Sequence, residues 1–310
     1  MKIYITNINE SWIIDRVKKE WVQLNKKVST KFKYNSDIVW VIAPWSLKNN
    51  EVLKYKNKKI IYSVYHIEES SKNSTELNNI FKFDYLIDAY HTISMQTYTI
   101  LKKNTKKPIY FIPFWVNQKI FYNIKNKKII RDKYGFSENE FLVGSFQRDT
   151  ESKDLTSPKL IKGPDILVAL LSELNKENEN LIAVLTGKRR NYVINELEKL
   201  DIKYKYFEMT EFNELNELYN ILNLYLITSR LEGGPQALVE CGQTLTPVLS
   251  TNVGIAELIL AKESIYDFND LSTFKNAKTT VEHAFLQSSN FTIPNGMTKF
   301  IQMFKEVHEN

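Results

Sequence analysis

Apolar positions along this chain keep two alternating rhythms. Short, nearly continuous apolar runs stand at residues 2–6 (KIYIT), 37–43 (DIVWVIA), 59–65 (KIIYSVY), 83–88 and 109–112. Runs of this length predict strands covered on both faces, as in a parallel sheet flanked by helices. A further candidate strand covers 27–33. Between the runs the spacing becomes helical. Ile13, Val17, Trp21 and Leu24 predict an amphipathic helix behind a polar turn at 7–11, and 93–103 predicts another. Strand alternating with helix argues for an α/β layered domain with a mostly parallel sheet.

The rhythm restarts after a polar, basic stretch at 117–133 (NQKIFYNIKNKKIIRDK), read as a linker and the first helix of a second domain. Its charge reads as a solvated face, with an anionic membrane surface or polyanion as the alternative. Strands are predicted at 140–146, 181–185 and 203–207. Helices are predicted from Pro164, with Ile166, Leu167, Leu170, Leu171 and Leu174 on one face, and at 193–200 and 214–222. Residues 224–257 are the densest stretch: strand, glycine loop, helix opened by Pro235, strand, second glycine loop. In the tail, Met297, Phe300, Ile301, Phe304 and Val307 share a helical face. The expected domains are 1–124 and 125–294, with a helix at 295–310 able to pack back on the first.

A length of 310 residues suits two domains. The net charge of +6 suits an anionic partner, although the lysines are scattered along the sequence. The single cysteine, Cys241, rules out an intrachain disulfide and fits a reducing compartment. It reads as a small core residue. The first residues carry no apolar run or small-residue cleavage site, and no stretch approaches the roughly 18 to 20 apolar residues of a membrane span. The expectation is a soluble cytoplasmic protein, at most peripheral to the inner face of a membrane.

Several chemistries lose support by motif. There is no Gly-x-Gly-x-x-Gly fingerprint, no P-loop around Gly187-Lys188, no Asp-x-Asp pair, no Gly-x-Ser-x-Gly elbow and no zinc spacing. Ligands of open parallel sheets bind beyond the C-terminal strand ends. The residues there are His66 with Glu68 and Glu69, less directly His91, then Gln147 and Arg148, then Gly187 with Lys188, Arg189 and Arg190. An isolated histidine in such a place is more often an ordinary loop residue. Cations at strand ends, with Lys162 before a helix, can neutralise a diphosphate. Gly233-Gly234-Pro235 lets the backbone approach a ligand at a helix N-terminus. With Pro235 as the first helical residue, Gln236 and Glu240 stand one turn apart. Glu240 can accept hydrogen bonds from a diol such as a ribose. Glu232 can reach a sugar hydroxyl or offset developing positive charge.

Taken together, these residues resemble the retaining glycosyltransferases of the GT-B type, specifically glycosyltransferase family 4. Glu232-Gly-Gly-Pro followed by Glu240 is similar to that family's E-x7-E signature. Residues 246–254, then Glu257, resemble its next strand and glycine loop. Residues 142–148 and Lys162-Gly163 resemble its phosphate-binding element, and 112–121 (IPFWVNQKIF) the segment closing its N-terminal domain. The resemblance implies two doubly wound Rossmann-like domains facing a central cleft. The first would bind the acceptor and the second a nucleotide-diphosphate sugar. It implies that Arg148 and Lys162 hold the diphosphate and Glu240 the ribose. Glu232 and the backbone of Gly233, Gly234 and Pro235 would hold the donor sugar, with Gln236 and Gly187 beside them and His66 approaching from the first domain. The implied transfer retains anomeric configuration and needs no cofactor and no metal. The acceptor would be a glycan, a lipid-linked sugar or another hydroxyl. Peripheral contact with an anionic membrane is compatible with this, and nucleic acid is the less favoured partner. The sequence departs from the family at Asn7-Ile8-Asn9-Glu10, where a glycine-rich loop is usual. It also lacks the glycine before Arg148 and has a longer interval from Arg148 to Lys162. Lys153 has the more usual spacing but no following glycine. The alternatives are a nucleotide-sugar epimerase or hydrolase of the same fold, or a non-catalytic or DNA-directed basic relative that binds sugar nucleotides.

Overall fold

The structure, a computed structural model, describes residues 1–7, 13–48, 50–67 and 74–310. Glu68 and Glu69, and Ile8, Asn9 and Glu10, lie outside the described residues. The chain forms two compact units: Met1–Trp115 with Pro294–Asn310, and Val116–Ile293. The first contains β1 (Ile3–Ile5), β2 (Ile38–Val41), β3 (Lys59–Ser63), β4 (Ala89–Thr92) and β5 (Ile109–Phe111), paired in that order and all parallel. Its helices are α1 (Ile13–Leu24), α2 (Ser74–Phe81) and α3 (Met95–Asn104).

The second unit holds β6 (Phe141–Phe146), β7 (Leu181–Thr186), β8 (Tyr204–Phe207), β9 (Leu224–Ile227), β10 (Val248–Thr251) and β11 (Ile265–Tyr266). Its helices are α4 (Lys127–Lys133), α5 (Pro164–Glu177), α6 (Asn191–Lys199), α7 (Phe212–Ile221), α8 (Gln236–Thr244), α9 (Ala256–Ile259), α10 (Ser272–Asn276) and α11 (Val281–Ser289). The last helix, α12 (Asn295–Glu309), belongs to the first unit. Two parallel sheets layered with helices are the α/β arrangement that the sequence pattern implies.

The unbroken run at β2 has a simple cause. Successive side chains point to opposite faces, and both faces are covered. Trp40 packs on one side against Trp21 of α1 and against Phe300 and Phe304 of α12, with ring centroids 6.0, 5.4 and 5.3 Å away. Val39 and Val41 join Ile60, Tyr62 and Leu101 in the cluster on the other. On α12 the buried positions are Gly296, Met297, Phe300, Met303, Phe304 and Val307. Met303 thus takes the place on the face that the sequence suggests for Ile301.

Two expected strands are corrected. Residues 27–33 make only a single bridge, Ser29 to Ile3, on the edge of β1 away from β2. The lysines there leave too little apolar surface for a covered strand, and Lys33–Asn35 tightens into a 3-10 turn. Residues 83–88 are not a strand either, since β4 begins at Ala89. Asp84 breaks the run by forming a 3-10 turn and accepting from the hydroxyls of Tyr90 (2.9 Å) and Thr105 (2.8 Å).

His91, inside β4, is fully buried. Its Nε2 donates to the Ile112 carbonyl at 2.9 Å, which leaves Nδ1 to accept from the Ser63 hydroxyl at 2.9 Å. Burial pushes the imidazole from its ordinary 6.5 down to about 4. The unfolded chain therefore takes up this proton near pH 6.5, while the folded chain resists it until about pH 4. The stability tied to His91 is complete above pH 6.5 and is lost as the pH falls through that window. Wild type is expected to lose up to about 3 kcal/mol more than His91→Gln between these limits. Urea unfolding of both proteins against pH checks it, and parallel profiles would refute it.

The basic stretch at 117–133 lies in the second unit, and much of its charge is engaged there. Lys133 pairs with Glu217 at 2.5 Å and Lys128 with Glu138 at 2.6 Å. Arg131 is buried and donates to the carbonyls of Ser137, Glu140 and Ile221.

The second sheet runs β11-β10-β9-β6-β7-β8. Its first strand, β6, has β7 on one side and β9 on the other, so the order in which strands are added reverses there while all strands stay parallel. Loops leave the sheet in opposite senses at such a switch point and open a crevice beyond the C-terminal strand ends.

Candidate functional site

The switch point gathers four loops of the second unit, the one between β6 and α5 contributing at both of its ends. Gln147 and Arg148 follow β6, and Gly187 follows β7. Thr228 to Glu232 follow β9, Asn252 to Gly254 follow β10, and Lys162-Gly163 leads into α5.

Gly163 fixes the approach of α5. It has φ of +60°, and a Cβ there would meet the Thr228 carbonyl oxygen at 1.8 Å. Only glycine lets the start of the helix lie against the end of β9. The Lys162 carbonyl then accepts from the Gln147 amide (3.0 Å) and the Thr228 hydroxyl (3.3 Å). Arg230 locks the same junction from outside by a two-pronged pair with Asp165 (2.8 and 2.6 Å) and a bond to the Leu160 carbonyl (2.8 Å). The hydrogen bond from Arg230 holds the Asp165 carboxyl below its usual range.

This docking brings Lys162 to Glu232. The ammonium pairs with Glu232 Oε1, which also accepts from the Ser229 hydroxyl at 3.0 Å. The Ser229 hydroxyl lies 3.3 Å from the Gln147 side-chain oxygen. Gln147 and Lys162, from the two ends of the β6–α5 loop, and Ser229 and Glu232, from the β9–α8 loop, thus form one polar network. Lys153, by contrast, lies in the exposed insert after β6.

The Gly233-Gly234-Pro235 turn is set by the second glycine loop. A Cβ on Gly254, at φ +58°, would meet the Gly233 carbonyl oxygen at 2.6 Å and Pro235 Cδ at 2.8 Å. The Thr251 hydroxyl, at the end of β10, donates to the Ser229 carbonyl at 2.6 Å. Pro235 itself has ψ of 113° and caps the helix, so α8 begins at Gln236 and not at the proline. Gln236 and Glu240 still stand one turn apart.

Glu240 is 4% exposed and accepts from the Tyr219 hydroxyl at 3.0 Å. Burial pushes the Tyr219 phenol well up, so it stays a neutral donor. Tyr219 is tied in turn to α8: its carbonyl accepts from Thr246, whose hydroxyl meets that of Thr244 at 2.7 Å. Cys241 is buried, and burial pushes its thiol well up, away from the reactive thiolate.

The cations after β7 divide. Lys188 is exposed and Arg189 is half-buried, but Arg190 is fully buried. Arg190 pairs with buried Asp149 and donates to the carbonyls of Ser145 (2.5 Å), Gln147 (2.7 Å) and Thr186 (3.1 Å). It is therefore a clamp joining the ends of β6 and β7 and not a cation presented to a ligand, which corrects the reading of residues 188–190 as one cationic set. Burial pushes the Asp149 carboxyl up, against the pull of the guanidinium. Gly187, at φ +92°, turns the chain beside Gln147 and accepts from the Tyr206 hydroxyl at 2.8 Å. Arg148, half-buried, precedes Asp149 on the clamped loop.

Lys162, Glu232 and the residues 233–236 and 240 thus belong to one end of one unit, with Arg148 and Gly187 on the neighbouring strand ends. His66 belongs to the first unit, where it is exposed just beyond β3. Gln147 reads from sequence as a strand-end residue only, and Ser229 and Tyr219 stand out by no motif. The signal for Ser229 is its place two residues beyond a buried strand. Tyr219, on a helix one buried turn away, had none. Among the described residues, no three His, Cys, Asp or Glu side chains are grouped to hold a metal.

The family model described as glycosyl transferases group 1 matches residues 126–283. Among solved structures, the chain is similar to HepE of Anabaena in complex with UDP and glucose. That likeness has a TM-score of 0.77 at 12% identity and covers 98% of this chain and 99% of that one. A sucrose-phosphate synthase from Thermosynechococcus elongatus gives 0.71 at 14% identity, covering 97% and 80%. A glycosyltransferase from Rickettsia africae gives 0.65 at 20% identity, covering 98% and 84%. At these identities the likeness is one of fold. No curated protein sequence matches the chain.

Proposed function

Given that this chain belongs to the glycosyl transferases of group 1, we propose that it moves a sugar from a nucleotide-diphosphate sugar to a hydroxyl of a glycan or lipid-linked acceptor, with retention at the anomeric carbon and without a metal. The observation that carries the reading is the Lys162–Glu232 network, placed at the switch point and beside two helix starts. Helix N-termini and cations suit a diphosphate, and a carboxylate held by two donors suits a sugar hydroxyl. The fold relative that holds UDP and glucose supports the donor class.

In this reading Arg148 and Lys162 stabilise the negative charge that grows on the diphosphate. Glu232 and the backbone of Gly233, Gly234 and Pro235 hold the sugar, with Gln236 and Gly187 beside it, and Glu240 holds the ribose. His66, at the end of β3, is the first unit's candidate for the donor sugar. The bond from the anomeric carbon to the diphosphate oxygen breaks as the acceptor oxygen bonds on the same face. The acceptor proton passes to the departing phosphate oxygen. Catalysis is then positioning and charge stabilisation, with no protein nucleophile.

The test is a thermal-shift screen against UDP-, GDP- and ADP-sugars with a chelator present, followed by product analysis with and without acceptor. One nucleotide class should raise the melting temperature. Sugar released or epimerised from donor alone would favour the hydrolase or epimerase instead, and no shift with any donor would refute the donor site. Tyr219→Phe gives a finer check. Losing the phenol bond to Glu240 should lower the preference for a ribonucleotide over its 2′- or 3′-deoxy analogue by about tenfold, the worth of one hydrogen bond to a charged group. An unchanged preference would remove Glu240 from the ribose.

A further inference from the structure

The positive charge of this protein is not shared between its units. Lys and Arg number 21 in each, but Asp and Glu number 12 in the first unit and 24 in the second, giving +9 and −3. The first unit's only arginine, Arg16, is buried, so the excess that faces solvent is carried by lysine.

Part of that excess collects at the N-terminal edge of the first sheet, the end opposite His66. The segment after α1 presents Lys26, Lys27 and Lys31 to solvent, with Phe32 65% and Tyr34 79% exposed. The Lys33 ammonium lies 5.1 Å from the Tyr34 ring and 6.0 Å from that of Tyr55. Lys58, just before β3, donates to the carbonyls of Tyr34 (3.0 Å) and Ser36 (2.6 Å), and Lys2, just before β1, donates to that of Lys27 (2.8 Å). These contacts make one face of three separate segments. Two of the acids beside it are matched by cations: Asp37 meets the N-terminal ammonium at 3.5 Å and the Lys2 amide at 2.7 Å, and Asp88 pairs with Lys59 at 3.2 Å, while Glu51, near Tyr55, accepts from the Lys48 amide.

We propose that this face, Phe32 and Tyr34 with Lys33 and Lys58 against Tyr34 and with Lys26, Lys27 and Lys31 exposed on the same segment, docks the protein on an anionic lipid bilayer. Lysines attract an anionic surface without needing fixed geometry, and exposed aromatic rings settle at the headgroup level. Phosphate or base recognition would favour arginine forks, which this unit does not present. No described helix is long and apolar enough to cross a membrane, so contact through these helices would be at the surface. The docking stands apart from the transfer reading, since it is measured by binding alone.

The experiment is sedimentation of the full chain with vesicles of phosphatidylcholine, alone or mixed with phosphatidylglycerol, at low and high salt. Binding should need the anionic lipid and weaken with salt. Lys31→Glu with Lys33→Glu should lower the partition coefficient by more than about tenfold, at several-fold per lysine charge. Phe32→Ala with Tyr34→Ala should lower it several-fold with the charge unchanged. Lys119→Glu with Lys125→Glu, exposed lysines of the second unit, should leave it alone. All variants are read for unchanged melting temperature. Failure to bind anionic vesicles, equal binding to neutral ones, or equal loss in the second-unit control would overturn the proposal. So would retention on single-stranded RNA or duplex DNA with vesicles left unbound, which would give the face to nucleic acid.

Discussion

Replacing Glu232 by glutamine is expected to cut the transfer rate by about a hundred- to a thousandfold and to leave the protein folded. Glutamine keeps the volume of the side chain and can still accept from Ser229. It loses the charge that Lys162 now faces. The Glu232 side chain is 17% exposed and lies in a loop, so little packing depends on it. The released Lys162 can still neutralise a diphosphate, so the donor KM should hold or fall while kcat drops. Arg148→Ala should also abolish transfer, but with loss of donor affinity, because it removes charge from the diphosphate side. Steady-state kinetics of both variants, beside their melting curves, separate the two roles. Full kcat in both proteins would sink the assignment.

The second large effect concerns stability. Arg190→Met should destabilise the protein by about 3–5 kcal/mol, because it leaves the fully buried Asp149 without its partner. Three carbonyls lose a donor at the same time. For a unit of this size the melting temperature should fall by about 10 °C. Adding Asp149→Leu should return part of the loss, since it removes the uncompensated charge. A fall of under about 2 °C in the single variant would show that the clamp is not a major support of the second unit.

Much of the fold was legible because burial writes itself into the chain. The run at β2 is continuous because α1 and α12 cover one face and the Val39 cluster the other. Where polarity mixes with apolar residues, the reading failed. Asp84 turns an apparent strand into a 3-10 turn and accepts from two side chains, Tyr90 six residues on and Thr105 twenty-one residues on, which local spacing does not reveal. Residues 27–33 have strand-like spacing, but their lysines keep most of the segment at the surface.

By itself, the sequence determined two things: the alternation of strand and helix, which follows from local spacing, and the glycine loops with their flanking carboxylates, which follow from local backbone needs. Tertiary structure decided which polar residues meet. Lys162 and Glu232 are 70 positions apart and join only because Gly163 fits against Thr228. Arg190 looked like its neighbours Lys188 and Arg189, but burial makes it a clamp. The charge of +6 looked scattered, yet the fold puts +9 on one unit and −3 on the other. Spacing along a chain fixes which face a side chain takes within its own element. Which partner it finds depends on how the elements pack, and that is settled by contacts between residues distant in sequence.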